Sequence, residues 1–164
     1  MDSIVRWAAE NIPVSPLLLV FIISLFPILE LRGGLIAAAL LKIPMWQAIP
    51  VCVLGNIIPI PFILLFIKQI FAWLKKIKPI RPLIEKLEAR AEKKSKKAET
   101  GEFWALVGFV GIPLPGTGGW TGALVASFLN MKLKKSVPAI LIGIVMATVI
   151  MTIVSYVIPG FFFS

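Results

Sequence analysis

The sequence predicts an all-α integral membrane protein built from two inverted repeats. Each repeat is a re-entrant helical hairpin followed by a transmembrane helix, and a basic amphipathic helix links the two. The 164-residue chain is 59% hydrophobic with a mean hydropathy of +0.96, which is more apolar surface than a soluble domain of this length can bury. Apolar runs of membrane-spanning length recur, and Pro and Gly residues repeat at a constant spacing.

Four apolar segments divide the single membrane domain, 1–164. They cover residues 14–42, 45–74, 103–131 and 136–159, which places repeat 1 at about 14–76 and repeat 2 at about 102–160. About 20 residues cross the hydrocarbon layer as a helix. The first and third segments are longer and are broken by Pro and Gly, in a first tip (residues 27–34) and a second tip (residues 113–121). Such a segment is predicted to bend into a hairpin that enters and leaves on one side.

An internal duplication is predicted from the positions of Pro and Gly. A shift of 88 residues, without gaps, places Phe21 on Phe109, Pro27 on Pro115, Gly34 on Gly122, Ala38 on Ala126, Leu41 on Leu129, Pro50 on Pro138 and Gly55 on Gly143. Apolar residues match easily by chance, but Pro and Gly mark bends and close contacts. Repeats of this kind are typical of secondary transporters.

The positive charge predicts the orientation. Of the 17 Lys and Arg residues, 14 lie between positions 68 and 135, and the net charge is +9. Because these residues flank apolar segments, they fit the positive-inside rule better than a nucleic-acid surface. Two hairpins would place loop 68–102 and the corner at 132–135 together in the cytoplasm, with both termini outside. Four simple spans would separate the two basic regions.

Two polar segments have more than one interpretation. Between the repeats, residues 77–101 contain Leu83, Ile84, Leu87 and Ala91 at helical spacing after Pro82. This indicates a basic amphipathic helix that either binds anionic lipid at the membrane surface or is a solvated linker. Residues 3–11 fit a short interfacial helix or a frayed terminus.

The first tip holds the candidate site. Glu30 and Arg32 are the only charged residues between Val14 and Leu41, and charges at membrane depth cost about 2.5–3.5 kcal/mol on insertion scales. In the functional interpretation, Arg32 binds an anionic group, Glu30 takes up and releases a proton, and Gly33 and Gly34 form the bend. In the structural interpretation, the two charges form a permanent ion pair.

The second tip reads "PLPGTGGWTG" and has no charged residue. Its glycines allow backbone N–H groups to converge on an anion, or they merely permit close helix packing. The predicted site residues here are Pro113, Pro115, Gly116, Thr117, Gly118, Gly119 and Thr121. Asn56 is a further candidate for the cavity, although an interhelical hydrogen bond also explains it.

The composition excludes most catalytic sites. The chain has no histidine and one cysteine, Cys52, which removes the commonest general base and metal ligand and any intrachain disulfide. Nucleotide-binding loops and paired catalytic side chains are also absent from the sequence. We therefore expect no enzyme activity, no cofactor and no metal.

The pieces "ELRGG" at 30–34 and "PLPGTGGWTGALVA" at 113–126 resemble a bacterial and archaeal family named putative small multidrug export proteins, which is similar to the DedA/VTT superfamily. The resemblance implies inverted repeats and a prokaryotic cell membrane. Members of the superfamily are associated with moving lipids, including polyprenyl phosphates, and with dependence on the proton-motive force. By position, Glu30 and Arg32 match the charged tip residues, and Pro113, Pro115, Gly116 and Gly118 match the second tip, which lacks the charge of typical DedA proteins.

The predicted function is a secondary transporter or flippase for an amphipathic, anionic substrate, such as a lipid phosphate, or for a small drug-like molecule. The two tips would form its midplane site, and proton coupling would involve Glu30. The alternatives are an uncoupled lipid scramblase and a non-transporting scaffold that docks a partner through the basic loop. Expected partners are membrane lipids, anionic lipid at the basic loop, and a second copy in a homodimer.

Overall fold

The computed structural model describes residues 15–76, 82, 85, 101–114 and 116–158. This described part is helical and contains no strand. The predicted interfacial helix at 3–11 lies outside the described residues, as does nearly all of the linker helix predicted at 77–101. The structure therefore reports on the two apolar halves of the chain.

The first half contains four helices in its described part. They are α1 (Pro16–Leu25), α2 (Glu30–Leu40), α3 (Met45–Ile57) and α4 (Pro59–Leu74). Ser15 caps α1, because its hydroxyl accepts a hydrogen bond from the Leu18 N–H at 3.2 Å, and Pro16 occupies a first-turn position where no N–H is needed. A turn at Ile58, before Pro59, separates α3 from α4.

The second half follows the same order. Its described helices are α5 (Gly101–Gly111), α6 (Gly119–Phe128) and α7 (Leu133–Thr152), and α7 continues into a π-helical segment (Ile153–Val157). Each half therefore places two short helices before a long apolar run. The loop between α5 and α6 carries the second tip, as the loop between α1 and α2 carries the first.

Helix length separates the elements into two classes. Helices α1, α2, α5 and α6 have 10 or 11 residues, about 15–17 Å at the usual rise per residue, which is half the hydrocarbon thickness. Two stretches within the described residues, Met45–Ile67 and Leu133–Val157, are apolar and long enough to cross a membrane, with 23 and 25 residues. The described part of the chain is all-helical, and its two long apolar stretches fit a membrane protein.

The corners that follow α2 and α6 have the same backbone geometry. Lys42 and Asn130, which are 88 positions apart, both adopt left-handed φ angles of 55° and 53°. In each corner the next N–H donates to the carbonyl five residues earlier, at 2.9 and 3.0 Å. This is the hydrogen bond of a Schellman motif, which ends a helix and reverses the chain. The repeated spacing of the sequence thus coincides with a repeated local structure.

Packing joins the elements within and between the halves. Helices α1, α2 and α3 pack on one another, and α5 packs along α7. The halves meet where α4 packs on α6 and where α2 and α3 pack on α7. The shared core includes Leu35, Ala38, Val110, Ala123 and Ile144. These contacts bring the two tips to the same region of the molecule.

Glycines permit the closest helix crossings. A Cβ at Gly55 would lie 2.8 Å from the Phe21 carbonyl oxygen on α1, and a Cβ at Gly143 would lie 3.0 Å from the Val107 carbonyl oxygen on α5. Because backbone atoms cannot yield as a flexible side chain can, glycine is required at both crossings. Membrane helices commonly use small residues for such approaches. These two glycines pack each long run against the first helix of its own hairpin.

Candidate functional site

The two tips line one cavity of about 440 Å³. The first tip contributes Pro27, Ile28, Leu29, Glu30, Arg32 and Gly33, and the second tip contributes Pro113, Leu114, Gly116, Thr117 and Thr121. Ile36 on α2 and Met151 on α7 complete the lining. The structure thus brings together most of the predicted site residues from both halves of the chain.

The Glu30 carboxylate binds the beginning of helix α6. Its two oxygens accept hydrogen bonds from the backbone N–H groups of Gly119 and Trp120, each at 3.0 Å. The first N–H groups of a helix have no partner within the helix, and the helix dipole places positive charge at the same end. Glu30 is only 3% exposed. The anion held by the N–H groups of the second tip is therefore the protein's own carboxylate.

The backbone of Glu30 is held in an unusual conformation. Its φ angle is +49°, in the left-handed region that residues other than glycine rarely adopt. Its own N–H donates to the Phe26 carbonyl at 2.9 Å, so the turn before α2 fixes the angle. Such conformations cost about 1–3 kcal/mol and concentrate at functional sites.

The Arg32 guanidinium binds the end of helix α5 and the loop that follows it. Its Nη1 donates to the carbonyls of Leu114 at 2.8 Å and Thr117 at 2.7 Å, and its Nη2 donates to those of Val110 and Ile112, both at 3.1 Å. The last carbonyls of a helix lack partners within the helix and carry the negative end of its dipole. Arginine suits this place because its planar fork directs several donors at once.

Both charged side chains of the first tip therefore bind the second half of the chain. The side-chain hydrogen bonds of Glu30 and Arg32 within the described residues go to backbone groups between Val110 and Trp120. Each charge meets backbone groups of opposite polarity, which compensate it. This arrangement differs from the predicted alternative of a closed pair between Glu30 and Arg32. It joins the first tip to helix α5, to helix α6 and to the loop between them.

Thr117 and Gly116 stabilise the backbone turn of the second tip. The Thr117 hydroxyl lies 2.9 Å from both the Ile112 and the Leu114 carbonyl oxygens, to which it can donate, and it accepts from the Leu114 N–H at 3.3 Å. Gly116 has a φ of +78°. Thr117 is a predicted substrate-binding residue that lines the cavity, and its hydroxyl also stabilises the turn.

Gly118 is required on two grounds. Its φ is +142°, in the region that favours glycine, and a Cβ at this position would overlap the Glu30 carboxylate. The carboxylate can reach the helix start only because position 118 has no side chain. Gly118 therefore permits the contact that Glu30 makes.

Asn56 lies beside the same helix start. Its side chain is fully buried, and neither its amide nitrogen nor its oxygen has a hydrogen-bond partner in the described part of the structure. A Cβ at Gly119 would lie 3.1 Å from the Asn56 oxygen. The interhelical hydrogen bond predicted as an alternative is not formed among these residues. Asn56 thus places an amide next to the contact between Glu30 and α6.

The remaining predicted residues have different surroundings. Gly33 lines the cavity, but a Cβ at Gly34 would overlap the Ser24 hydroxyl and lie 3.0 Å from the Cys52 sulfur, so Gly34 serves helix packing. The Thr121 hydroxyl lies 3.4 Å from the Gly118 carbonyl oxygen. Pro113 lines the cavity, and Pro115 lies outside the described residues.

Metal binding is not suggested by the described residues. No group of three or more His, Cys, Asp or Glu side chains that could hold an ion occurs within them. The polar groups at the tips are backbone amides and carbonyls, two charged side chains, hydroxyls and one amide. These groups can hold charges and exchange protons at Glu30.

Comparison with known proteins gives the family. Residues 30–150 match the family model described as "Putative small multi-drug export protein". The chain belongs to this family. The match begins at Glu30 and includes Arg32 and the whole second tip, so the small multi-drug export family model covers both partners of the contact. No curated protein and no solved structure matched the chain.

Sequence reasoning identified the two charges but not what they bind. The acceptors of Arg32 are carbonyls of Val110, Ile112, Leu114 and Thr117, and one donor to Glu30 is the Trp120 N–H. Backbone groups carry no signature in the residue types. The available signal was the excess of unpaired backbone groups that two helix ends present at a Pro- and Gly-rich tip.

Proposed function

We propose that this member of the small multi-drug export family is a secondary transporter for amphipathic small molecules, and that the contact between the two tips is its gate. The observation that carries the proposal is the crossed binding of Glu30 and Arg32 to the opposite hairpin. A contact built from one buried charge, one half-buried charge and six backbone groups is costly to withdraw from water. It is also able to exist in two discrete states, formed and broken.

The proposed architecture is a pair of inverted repeats with re-entrant hairpins. Its support is that α1, α2, α5 and α6 are each half as long as a membrane span, and that the corners at Lys42 and Asn130 repeat. In a prokaryotic cell membrane both termini would lie outside. Loop 68–102 and the corner at 132–135 would then face the cytoplasm, where the loop would bind anionic lipid.

The proposed gate opens when Glu30 is protonated. A carboxylate accepts hydrogen bonds with both oxygens, whereas in the protonated form one oxygen becomes a hydroxyl, which donates and is a weaker acceptor for an N–H group. Protonation would also remove the negative charge from the start of α6. The first tip would then be held chiefly by Arg32. Movement of one hairpin against the other would give alternating access, with the proton released on the other side.

The pairing of Arg32 favours a small molecule over a phosphate headgroup as the substrate. Both terminal nitrogens of the guanidinium already donate to carbonyls, two each. A phosphate would have to displace these carbonyls, each of which would lose a charged hydrogen-bond donor. Headgroup binding by Arg32 therefore requires the tips to part first.

The test is transport in proteoliposomes that contain the purified full-length chain. Three probes are compared, with and without a pH gradient: Nile red, a fluorescent polyprenyl phosphate and a fluorescent phosphatidylglycerol. The variants are Glu30→Gln and Arg32→Gln, with Glu102→Gln and the exposed Lys134→Gln as matched controls for the loss of each charge. We expect gradient-driven movement of a probe that both tip variants abolish and both controls retain.

Three outcomes would overturn the proposal. Lipid movement that persists after the gradient is collapsed indicates a scramblase. An absence of movement for every probe, together with retained binding of a partner at the basic loop, indicates a scaffold. Full transport by Glu30→Gln would show that the gate does not depend on this carboxylate. The proposed homodimer and the relation to the DedA/VTT superfamily are separate predictions that this assay leaves aside.

A further inference from the structure

A second cavity lies on the other side of the first tip. It is an apolar groove of about 630 Å³ between the end of α1 with Phe26 and Pro27, the start of α4, and helix α6. Every lining side chain is apolar except that of Trp120, whose indole nitrogen is itself buried. The lining contains no charged group, so the groove would exclude a charged headgroup by its desolvation cost.

The groove has aromatic walls and opens at its rim. Phe62 and Phe66 stack with ring centroids 6.4 Å apart and an interplanar angle of 15°. These two rings and Phe26 are between 48% and 61% exposed. Because the groove runs along the apolar span Met45–Ile67, its rim faces the bilayer. A lipophilic molecule can therefore enter laterally and meet aromatic faces, which favour flat rings.

Trp120 connects this groove to the gate. Its backbone N–H donates to Glu30 at 3.0 Å, while its side chain lines the groove. The indole N–H is buried and has no acceptor in the described part of the chain, and an unsatisfied donor of this kind indicates a missing partner. A ligand with one hydrogen-bond acceptor would satisfy it once the indole turns toward the groove.

We propose that the groove at Trp120 is the substrate site and that it takes an uncharged aromatic molecule bearing a hydrogen-bond acceptor. The inference rests on the proposed transport function, since the bound molecule is a substrate only if it is transported. The binding itself does not require transport. The cavity volume falls within the range of about 300–1,000 Å³ found for drug-sized ligands. Occupancy would act on the residue whose backbone holds Glu30, which links the substrate to the gate.

Binding is tested with the full-length chain in lipid nanodiscs that carry ¹⁵N-labelled tryptophan. Nile red is the uncharged aromatic probe with an acceptor, and diphenylhexatriene is the aromatic probe without a comparable one. The indole N–H resonance of Trp120 is assigned from Trp120→Phe. We expect saturable binding of Nile red and a downfield shift of this proton. Diphenylhexatriene should bind without the downfield shift, and the resonance of the exposed Trp104 should stay unchanged with both probes.

Two variants give the expected magnitudes. Trp120→Phe keeps a ring but removes the donor, so the affinity for Nile red should fall about threefold to tenfold, the range expected for one hydrogen bond, while that for diphenylhexatriene should not. Leu124→Trp fills the groove and should abolish binding of both probes. Val145→Trp adds the same bulk on the exposed face of α7 and should leave binding intact.

Unchanged affinity for Nile red in both groove variants would overturn the assignment. So would a groove that is occupied by lipid acyl chains and not displaced by saturating Nile red. The two proposals fail separately. If Nile red binds at Trp120 but is not transported, only the transport proposal is overturned. If transport depends on Glu30 but is unchanged by Leu124→Trp, only the groove assignment is overturned.

Discussion

Glu30 shows how a single residue can satisfy several constraints at once. Its side chain is buried, its backbone is left-handed, and its carboxylate binds the start of a helix that begins 89 positions later. A neutral residue would avoid the cost of burying a charge, but it would leave two N–H groups at the start of α6 without a charged partner. Hydrogen bonds that involve a charged group contribute about 1.5–3 kcal/mol each, so the contact offsets much of the burial cost.

Replacement of Glu30 by Gln is expected to weaken the contact without changing its shape. The amide retains one carbonyl oxygen, so one N–H keeps an acceptor, but the charge is lost. We expect the free energy of unfolding to fall by about 2 kcal/mol, measured by thermal or SDS unfolding in detergent. Glu102→Gln should change it by less than about 1 kcal/mol. Equal effects of the two substitutions would contradict the assigned contact.

Gly118 offers a second test at this scale, with an internal control. Ala at 118 would require a φ near +142° and would displace the Glu30 carboxylate, so we expect a loss of at least about 2 kcal/mol. A Cβ at Gly108 on α5 meets nothing within 4 Å, and Ala there should stabilise the helix by up to about 1 kcal/mol. If the Gly118→Ala protein unfolded at the same temperature as the wild type, the proposed close contact between position 118 and the Glu30 carboxylate would be wrong.

At the scale of elements, the short helices matter more than the long ones. The spans in α3–α4 and α7 were predictable from hydropathy alone, because their apolar runs exceed the length of a membrane crossing. The breaks in 14–42 and 103–131 were indicated by Pro27 and by the glycines after Pro113, but Gly33 and Gly34, which were also predicted to form the first bend, lie inside α2. The left-handed φ at Glu30 was not predictable, because the turn geometry before α2 depends on tertiary contacts.

The side on which each corner lies tests the hairpin topology. In a chain whose Cys52 is replaced by Ser, single cysteines are introduced at Lys42 and at Lys134 and labelled with a membrane-impermeant maleimide. Two hairpins place these positions on opposite sides of the membrane, with Lys134 cytoplasmic. Four simple spans place both on one side. Labelling of both positions from the same face of intact cells would exclude the re-entrant arrangement.

At the scale of the whole molecule, the halves depend on each other. Beyond the tips, α4 packs on α6, and α2 and α3 pack on α7. The Tyr156 hydroxyl, on the π-helical segment, donates to the Ile43 carbonyl at 3.1 Å. The charges of the candidate site were found from the sequence because they interrupt apolar runs. Their partners and the groove at Trp120 were not found, since backbone acceptors and cavity shape arise only when the halves pack.

This interdependence predicts that the halves associate when produced as separate chains. Residues 1–95 and 96–164, coexpressed with a tag on one piece, should copurify because the packing between halves and the tip contact remain available. Combined Glu30→Ala and Arg32→Ala should reduce the recovered partner severalfold, whereas Lys134→Ala should not. Recovery of each half alone as a stable folded protein would contradict the dependence.

The glycine at 118 makes the two halves non-equivalent at the point where their sequences align. Position 30 aligns with position 118 under the 88-residue shift, yet one carries a carboxylate and the other has no room for a side chain. A chain with glutamate at both positions would have no space for the carboxylate of residue 30, and a chain with glycine at both would have no carboxylate to bind the start of α6. Neither half could therefore be replaced by a copy of the other without losing this contact.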